Sequence, residues 1–165
     1  MNASSVIAAR LTCAPMEPAT LAAARRLLGR FLGGDVHYRT TAQHYGDGGA
    51  LALDRALALF IERPEIGFVW IATLDAEAVG ACVCCYAIST SRGSLVIKLD
   101  DVTVEPGWQG RGVGEAMLRA LAEWSRAHGV TRIDSSCHRD NQRAWRFYER
   151  LGFRALNEER IAWLI

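Results

Sequence analysis

The stretch from Asp101 to Leu121 constrains the fold more than any other part of the chain. The β-branched run 102–104 is typical of a strand end, three glycines follow at Gly110, Gly112 and Gly114, and an amphipathic helical pattern comes next. Glycines let the backbone approach a ligand closely and adopt positive φ. The first turn of a helix leaves amide N–H groups unpaired and favours negative charge. The order strand, glycine loop, helix therefore predicts a binding site for a phosphate or pyrophosphate group.

The spacing of these glycines excludes two common phosphate-binding motifs. The dinucleotide fingerprint Gly-x-Gly-x-x-Gly fails because its last position is Glu115 or Met117, and the chain contains no Gly-Lys-Ser/Thr P-loop ending. The pattern that matches is Gln/Arg-x-x-Gly-x-Gly/Ala, formed by Gln109, Gly112 and Gly114. This pattern resembles the acetyl-CoA pyrophosphate loop of the GNAT acyltransferase superfamily. Considered alone, the loop is also compatible with a tight turn before a helix.

The apolar periodicity predicts a mixed sheet flanked by helices. We expect the order strand, helix, helix, three strands, helix, strand, helix, and two closing strands. The predicted strands are residues 6–12, 68–74, 78–88, 94–104, 131–137, 153–156 and 160–165. The predicted helices are residues 18–33, 50–63, 113–128 and 141–151, each with proline or glycine near an end.

A second segment strengthens the resemblance to the GNAT superfamily. Residues 141–153 match Asn-x-x-Ala-x-x-Phe/Leu-Tyr-x-x-x-Gly-Phe, which in that family forms the helix after a splayed strand pair. The resemblance is specific over residues 95–153 and weak before them. It implies a single α/β (α+β) GNAT domain over residues 1–165. Its central sheet would have six to seven mostly antiparallel strands, about four flanking helices and a splayed central strand pair.

The strand before the glycine loop carries a phase slip. Apolar residues occupy odd positions from Leu95 to Leu99 and even positions at Val102 and Val104. Because a strand keeps one face inward, the slip predicts a β-bulge at Asp100-Asp101. The alternative is that both faces of this strand are buried, which would make the phase uninformative.

The resemblance also implies how acetyl-CoA, as co-substrate, would be held, with no metal involved. The backbone of the strand end would pair with pantetheine as an added strand, with the Val102 N–H directed at the thioester oxygen. The backbone N–H groups of the loop would surround the pyrophosphate. Arg111 is either a phosphate partner or a surface arginine, and Asn141 is a pantetheine contact, a helix cap or both. The expected cofactor-binding residues are Val102, Thr103, Val104, Gln109, Gly110, Arg111, Gly112, Val113, Gly114, Asn141 and Tyr148.

Three residues are candidates for acid–base chemistry. By family position Tyr148 is the general acid that would protonate the leaving CoA thiolate; the alternative is a core tyrosine with a satisfied hydroxyl. The sequence Leu-Asp-Asp-Val-Thr-Val resembles the Leu-Glu-Asp-x-x-Val of diamine and thialysine acetyltransferases. Asp100 takes the place of that glutamate and is one methylene shorter, so a water relay would replace direct contact. Asp100 and Asp101 are therefore candidate bases, or else solvated strand-end charges.

The acceptor side is less well defined by the sequence. We expect its walls to come from the polar loop 35–49, the second helix and Tyr86. The loop is rich in His and Tyr, including Tyr45, which suits a polar or aromatic acceptor. His138 lies where the partner strand should splay, although a lone histidine is more often structural than catalytic.

Composition narrows the class of partner. A net charge of +1 offers no basic surplus for nucleic acid. The five cysteines are an odd number, clustered in an apolar strand, and give no zinc-ligand spacing. We see no signal peptide and no apolar window of about 18 residues, so we expect a cytoplasmic protein without a membrane partner. A homodimer is left open.

The combined prediction is an acetyl-CoA-dependent N-acetyltransferase. It would transfer an acetyl group to a primary amine of a small molecule by direct attack. Two alternatives remain, a protein or peptide N-acetyltransferase and a non-catalytic CoA-binding regulator. Retention of Tyr148 and of the Asp100-Asp101 pair favours an enzyme.

Overall fold

The computed structural model describes residues 3–44 and 46–165, and for residues 3–5 the backbone alone. Tyr45, part of the loop predicted to line the acceptor side, lies outside the described residues. Short 3₁₀ turns precede α2 and α5. The described chain contains six α-helices, which are α1 Ala3–Arg10, α2 Leu21–Gly34, α3 Val36–Ala42, α4 Gly49–Glu62, α5 Val113–Ala127 and α6 Gln142–Arg150.

The described residues form one sheet with the strand order β1-β2-β3-β4-β5. Neighbouring strands are antiparallel except for the last pair, β4 and β5, which run parallel across the α5 crossover. The five strands are β1 Leu11–Pro15, β2 Gly67–Leu74, β3 Glu77–Ser89, β4 Ser94–Val104 and β5 Val130–Ser135.

Helices cover both faces of this sheet, and the two faces have separate apolar cores. On one face α2 and α4 pack over Val69, Ile71 and Ala81. On the other face α5 and the aromatic residues of α6 pack over Cys82, Leu99 and their neighbours. This arrangement is the mixed α/β fold that the periodicity predicts.

Helix α5 is fixed to the sheet by its apolar stripe. Val113, Met117 and Leu121 are each at most 1% exposed. The buried Trp70 of β2 donates a hydrogen bond from Nε1 to the Met117 carbonyl at 3.2 Å. Because the glycine loop leads directly into α5, this packing fixes the position of the loop relative to the sheet.

Most predicted elements are confirmed in position. The helices α2, α4, α5 and α6 and the strands β2 to β5 lie within a few residues of their predicted bounds. The predicted hairpin between β2 and β3 turns at Asp75 and Ala76, whose φ angles are 49° and 67°. Two consecutive left-handed residues are what a two-residue hairpin turn requires.

The predicted first strand, residues 6–12, is wrong. Residues 3–10 form helix α1, and the strand is Leu11–Pro15, paired with β2. The stretch before Leu11 contains three alanines and an arginine, which favour a helix. Ile7 packs beside Val113 and Leu74 against the end of α5, so tertiary packing supports the helix.

The region 35–49, predicted as a loop, contains helix α3. The Asp35 side chain caps this helix by accepting a hydrogen bond from the Tyr38 N–H at 2.7 Å. An aspartate at this position satisfies an amide that the first helical turn leaves unpaired. The region predicted to line the acceptor side is therefore partly helical.

The two predicted closing strands, residues 153–156 and 160–165, are also wrong. The described chain after α6 is irregular, so the sheet has five strands rather than six to seven, with six helices rather than about four. A strand requires a partner edge for its backbone hydrogen bonds. Ile161 and Trp163 are each 91% exposed, so their apolar side chains contribute nothing to a core.

The predicted bulge in β4 is confirmed. Ala81 pairs with Thr103 and Val83 pairs with Asp100, so Cys82 alone faces both Asp101 and Val102. Asp101 has a φ of 53°, a left-handed conformation that Asp adopts more readily than most residues. The bulge therefore reverses the inward phase of β4 just before the glycine loop.

The anchoring of α5 makes a stability prediction. We expect Trp70→Phe to lower the free energy of unfolding by roughly 1–3 kcal/mol, because it removes a buried hydrogen bond and part of a buried ring. Urea unfolding monitored by circular dichroism measures this change. The matched control is Trp163→Phe, at an exposed position, which should stay within about 0.5 kcal/mol of wild type. Equal effects of the two substitutions would contradict this account of α5.

Candidate active site

The parallel strands β4 and β5 part next to the bulge. Their pairing ends at Leu99 and Ser135, while β4 continues for five more residues to Val104. The Ser135 hydroxyl donates to the Leu99 carbonyl at 3.1 Å and closes the paired region. Beyond this point the β5-facing backbone of residues 100–104 has no neighbouring strand among the described residues. An extended ligand can pair with such an edge.

The glycine loop lies at the far end of the same strand. Gly110 and Gly112 have φ angles of 73° and 89°, and Gly112 is the N-cap residue of α5. The Ala116 N–H donates to the Gly112 carbonyl, so the amides of residues 113–115 precede the first helical hydrogen bond. These amides and the helix dipole favour an anion at this position.

Gln109 fixes the loop to its surroundings. Its side-chain amide donates to the Val104 carbonyl at 2.9 Å, and its carbonyl accepts from Arg143 at 3.2 Å. The glutamine of the sequence motif thus joins the strand end, the loop and α6. The Arg111 guanidinium lies 5.2 Å from the Trp108 ring centre, a cation–π contact that holds the arginine beside the loop.

Gly114 allows helices α5 and α6 to approach each other. A Cβ atom at this position would lie 3.3 Å from the Phe147 ring and 3.5 Å from Val104. The third glycine of the motif therefore serves close packing of α6 against the strand end. This packing brings the next residue, Tyr148, to the gap between β4 and β5.

Tyr148 is held by rings and by β5. Phe147 and Phe153 make edge-to-face contacts with its ring at 5.3 and 5.1 Å. Burial raises the pKa of Tyr148 to about 12, an effect opposed by a hydrogen bond with the Ser135 side chain. Electrostatic effects of Cys137, Cys82 and Asp100 add to the rise of this pKa. Because Ser135 also bonds the Leu99 carbonyl, Tyr148 lies where β4 and β5 part. The hydroxyl is protonated at neutral pH.

Asp101 is the acidic residue with the most perturbed environment at the bulge. Burial and the neighbouring charge of Asp100 raise its pKa to about 6, with Arg160 opposing and Asp35 reinforcing the shift. Two carboxylates near one another disfavour simultaneous ionisation. Asp101 therefore titrates close to neutral pH. Asp100 pairs with Val83, on the sheet face covered by α2 and α4.

The α3 region contacts the turn after β5. The rings of His37 and His138 lie 5.1 Å apart, and His138 Nδ1 accepts a hydrogen bond from the Asp140 N–H at 3.3 Å. This contact places α3 against the turn that follows β5.

Two other residues predicted for the site, Tyr86 and Asn141, make packing and capping contacts in this structure. Tyr86 packs against Phe68 at 5.8 Å on the α5 face, whereas Asp100 is on the opposite face. Asn141 caps α6 by accepting from the Ala144 N–H at 3.0 Å, which confirms its structural role.

Sequence reasoning missed Ser135 and Asp35. Ser135 reaches Tyr148 and Leu99, and the charge of Asp35 contributes to the raised pKa of Asp101 from 66 positions away in the sequence. Ser135 had a signal, since it is a polar residue near the end of the predicted strand 131–137. Asp35 had none, because its effect on Asp101 depends on how α2 packs on the sheet.

The described residues contain no group of three or more His, Cys, Asp or Glu side chains that could hold a metal ion. No described helix combines the length and apolar character needed to cross a bilayer.

Comparison with known proteins identifies the family. Residues 37–153 match the Acetyltransferase (GNAT) family, which is most of the chain. The chain belongs to this family. GNAT acetyltransferases use acetyl-CoA as co-substrate. The match includes the bulge, the glycine loop and Tyr148.

Three similar proteins illustrate the relationship. A glucosamine 6-phosphate N-acetyltransferase of Trypanosoma brucei brucei is 40% identical over 68 residues, covering 40% of this chain and 43% of that protein. An uncharacterized N-acetyltransferase of Methanocaldococcus jannaschii is 30% identical over 94 residues, covering 56% and 41%. The chain thus spans less than half the length of these relatives. The crystal structure of a Trypanosoma brucei acetyltransferase superposes with a TM-score of 0.67 at 22% identity, covering 93% of this chain and 99% of that one.

The environment of Asp101 predicts a pH-dependent stability effect. A carboxyl whose pKa rises from 3.8 to about 6 on folding contributes stability that is full below pH 4 and lost as the pH rises through about 6. We therefore expect Asp101→Asn to be more stable than wild type at pH 8, by at most about 3 kcal/mol, with the gain disappearing below pH 4. Asparagine also tolerates positive φ.

Urea unfolding of both proteins from pH 3.5 to pH 8 measures this difference. A stability difference that does not change with pH would show that the pKa of Asp101 is not raised.

Proposed function

We propose that this chain transfers an acetyl group from acetyl-CoA to the primary amine of a small molecule by direct attack. One observation carries the proposal: the open edge of β4, the anion site at α5, the Tyr148 hydroxyl and the Asp101 carboxyl all adjoin one strand segment, residues 100–104. Family membership supports acetyl transfer, and the following steps assign roles to the residues.

The cofactor would lie along β4. Its pyrophosphate would bind the amides from Gln109 to Gly114, with Arg111 alongside. Its pantetheine arm would pair with the backbone of residues 102–104, near Asn141 and Tyr148. The Val102 N–H would then donate to the thioester oxygen and stabilise the negative charge that develops on it during attack.

Direct attack is favoured over a cysteine-bound intermediate. Burial raises the pKa of Cys137, and it raises the pKa of Cys84 well above its usual value. The thiolate, not the thiol, is the nucleophile. Near the gap these thiols stay protonated at neutral pH, so the acceptor nitrogen itself would form the bond to the acetyl carbon.

Asp101 is the base that the geometry favours. Alkyl amines are mostly protonated at neutral pH and must lose a proton before attack. A carboxylate with a pKa of about 6 is ionised at pH 7 and suited to accept that proton, directly or through water. Asp100, which the family motif singles out, would then act mainly by raising the pKa of Asp101.

Tyr148 would assist the leaving group. As the amine nitrogen bonds to the carbonyl carbon, the carbon–sulfur bond breaks and the electron pair stays on sulfur. A phenol with a pKa of about 12 holds its proton more tightly than a thiol does. Tyr148 therefore stabilises the departing thiolate mainly by donating a hydrogen bond, and solvent completes the protonation.

A small cationic acceptor fits this site best. Asp100 and Asp101 bring negative charge to the bulge, which Arg160 offsets in part, and a carboxylate there favours an ammonium group over a neutral one. The trypanosomal relative named for glucosamine 6-phosphate also points to small amines. Local similarity to diamine and thialysine acetyltransferases makes diamines the first candidates. Peptide acetylation and CoA binding without turnover are the alternatives.

A thiol-release assay with acetyl-CoA tests the function. We expect turnover with members of a panel of diamines, amino sugars and aminoglycosides, at rates above those with peptides. Gly112→Val should abolish turnover and CoA binding, because a β-branched residue is strained at a φ of 89° and blocks close approach of the pyrophosphate. Calorimetry with CoA measures the binding directly.

Gly93→Val is the matched control, since Gly93 also has positive φ, 60°, but lies in the β3–β4 turn. It should lose stability but keep CoA affinity. CoA binding by a folded Gly112→Val protein would contradict the loop assignment. Binding without turnover on any amine would favour the regulator.

Two variants test the acid–base roles. Tyr148→Phe should lower kcat by roughly ten- to a thousand-fold with little change in CoA affinity. Wild-type kcat/KM should fall as the pH drops through about 6, because protonated Asp101 no longer accepts a proton. Asp101→Asn should have a lower kcat/KM than wild type, and its kcat/KM should not fall as the pH drops through about 6.

Asp100→Asn should still lose kcat/KM at low pH, but the fall should occur at a lower pH than in wild type. The reason is that the substitution removes a charge that raises the pKa of Asp101. Full turnover by Tyr148→Phe with chemistry rate-limiting would exclude the tyrosine. An unchanged pH profile in Asp101→Asn would mean that the amine enters already neutral.

A further inference from the structure

Glu105 stands between the edge of β4 and the glycine loop. It is the only charged residue that is buried among those the structure describes, at 9% exposure. Strand β4 ends one residue before it, and Pro106 begins the turn that leads to the loop. A carboxylate at such a position is costly unless it is paired.

Two arginines of α2 pair with this carboxylate. Arg26 forms an ion pair with Oε1, and Arg30 donates a hydrogen bond to Oε2. Arg26 also donates to the Ala78 carbonyl at the start of β3, at 2.9 Å. The three side chains therefore join α2 to the ends of two strands.

The Glu105 backbone continues this connection toward the loop. Its N–H donates to the Val79 carbonyl at 2.8 Å, and its carbonyl accepts from the Trp108 N–H at 2.8 Å. Trp108 in turn packs beside Val113, the first residue of α5. Displacement of Glu105 would thus displace the segment that carries Gln109 and Gly110.

Stability alone does not account for this arrangement, since well-packed apolar groups usually stabilise as well as a buried ion pair. We propose that Glu105, held by Arg26 and Arg30, is a positioning residue that sets the geometry of the pyrophosphate loop and thereby the affinity for CoA. This inference rests on the proposed function. The two arginines also neutralise a carboxylate that would otherwise repel a pyrophosphate bound nearby.

The test compares ligands with and without pyrophosphate. We expect Glu105→Gln to weaken CoA binding in calorimetry by about tenfold, the scale of a mispositioned binding element. With acetyl-CoA the loss should be in KM and not in kcat. With acetyl-pantetheine, which lacks the pyrophosphate, kcat/KM should be unchanged.

Arg25→Gln is the matched control. Arg25 neighbours Arg26 on α2, but it pairs with Asp54 of α4 at 2.5 Å rather than with Glu105. It should leave CoA affinity and the kinetics with both thioesters unchanged. Loss of CoA affinity in this control would show that any damage to α2 reaches the loop, which would overturn a specific role for Glu105.

Combined variants separate positioning from general damage and serve as the test if Glu105→Gln does not fold. Arg26→Gln with Arg30→Gln leaves the carboxylate unpaired and should weaken CoA binding by more than about tenfold relative to wild type. Adding Glu105→Gln to this pair should recover part of that lost affinity, and should reach the level of Glu105→Gln alone where that variant folds. Additive losses, or wild-type affinity in these variants, would overturn the inference. Wild-type protein that fails to bind CoA would overturn the proposed function as well.

Discussion

The bulge opposite Cys82 is the constraint on which the rest of the site depends. Two residues, Asp101 and Val102, occupy the space of one, and Asp101 adopts a φ of 53° to make this possible. The phase of β4 reverses there. The core residues of β4 on the α5 face have odd numbers before the bulge, as at Leu99, and even numbers after it, as at Val102. Within the same few residues β5 leaves β4, and the strand edge opens. Beyond Leu99 the β5-facing edge of β4 can therefore pair with an extended ligand.

The bulge also affects the pKa of the acidic side chain that it contains. It holds the Asp101 carboxyl partly buried beside Asp100, which raises its pKa to about 6. Across the gap, burial raises the pKa of Tyr148 to about 12. One group is thus ready to accept a proton at neutral pH and the other retains its proton. Groups whose environments separate their pKa values in this way are suited to paired acid–base roles.

Local chemistry explains which features the sequence could predict. The phase slip after Leu99 predicted the bulge because a strand repeats every two residues, and Asn141 predicted a helix start because its side chain can cap a helix. Residues 6–12 misled because a short apolar run fits a strand or a helix equally well, and packing against α5 decides. The two closing strands predicted within residues 153–165 are wrong for a related reason. A sequence with a strand pattern forms a strand only if it can pair with the edge of a sheet. The effect of Asp35 on the pKa of Asp101 depends on how α2 lies on the sheet, which no local pattern encodes.

We expect acetyl-CoA to bind along the edge of β4 that β5 leaves unpaired beside the bulge. A crystal structure of the protein with CoA or acetyl-CoA tests it most directly. The account predicts the pyrophosphate at the amides of Gly110 to Gly114, pantetheine paired with residues 102–104, and the sulfur near the Tyr148 hydroxyl. It would be contradicted by CoA bound elsewhere, or by an edge at residues 100–104 that remains closed by another part of the chain while CoA is bound.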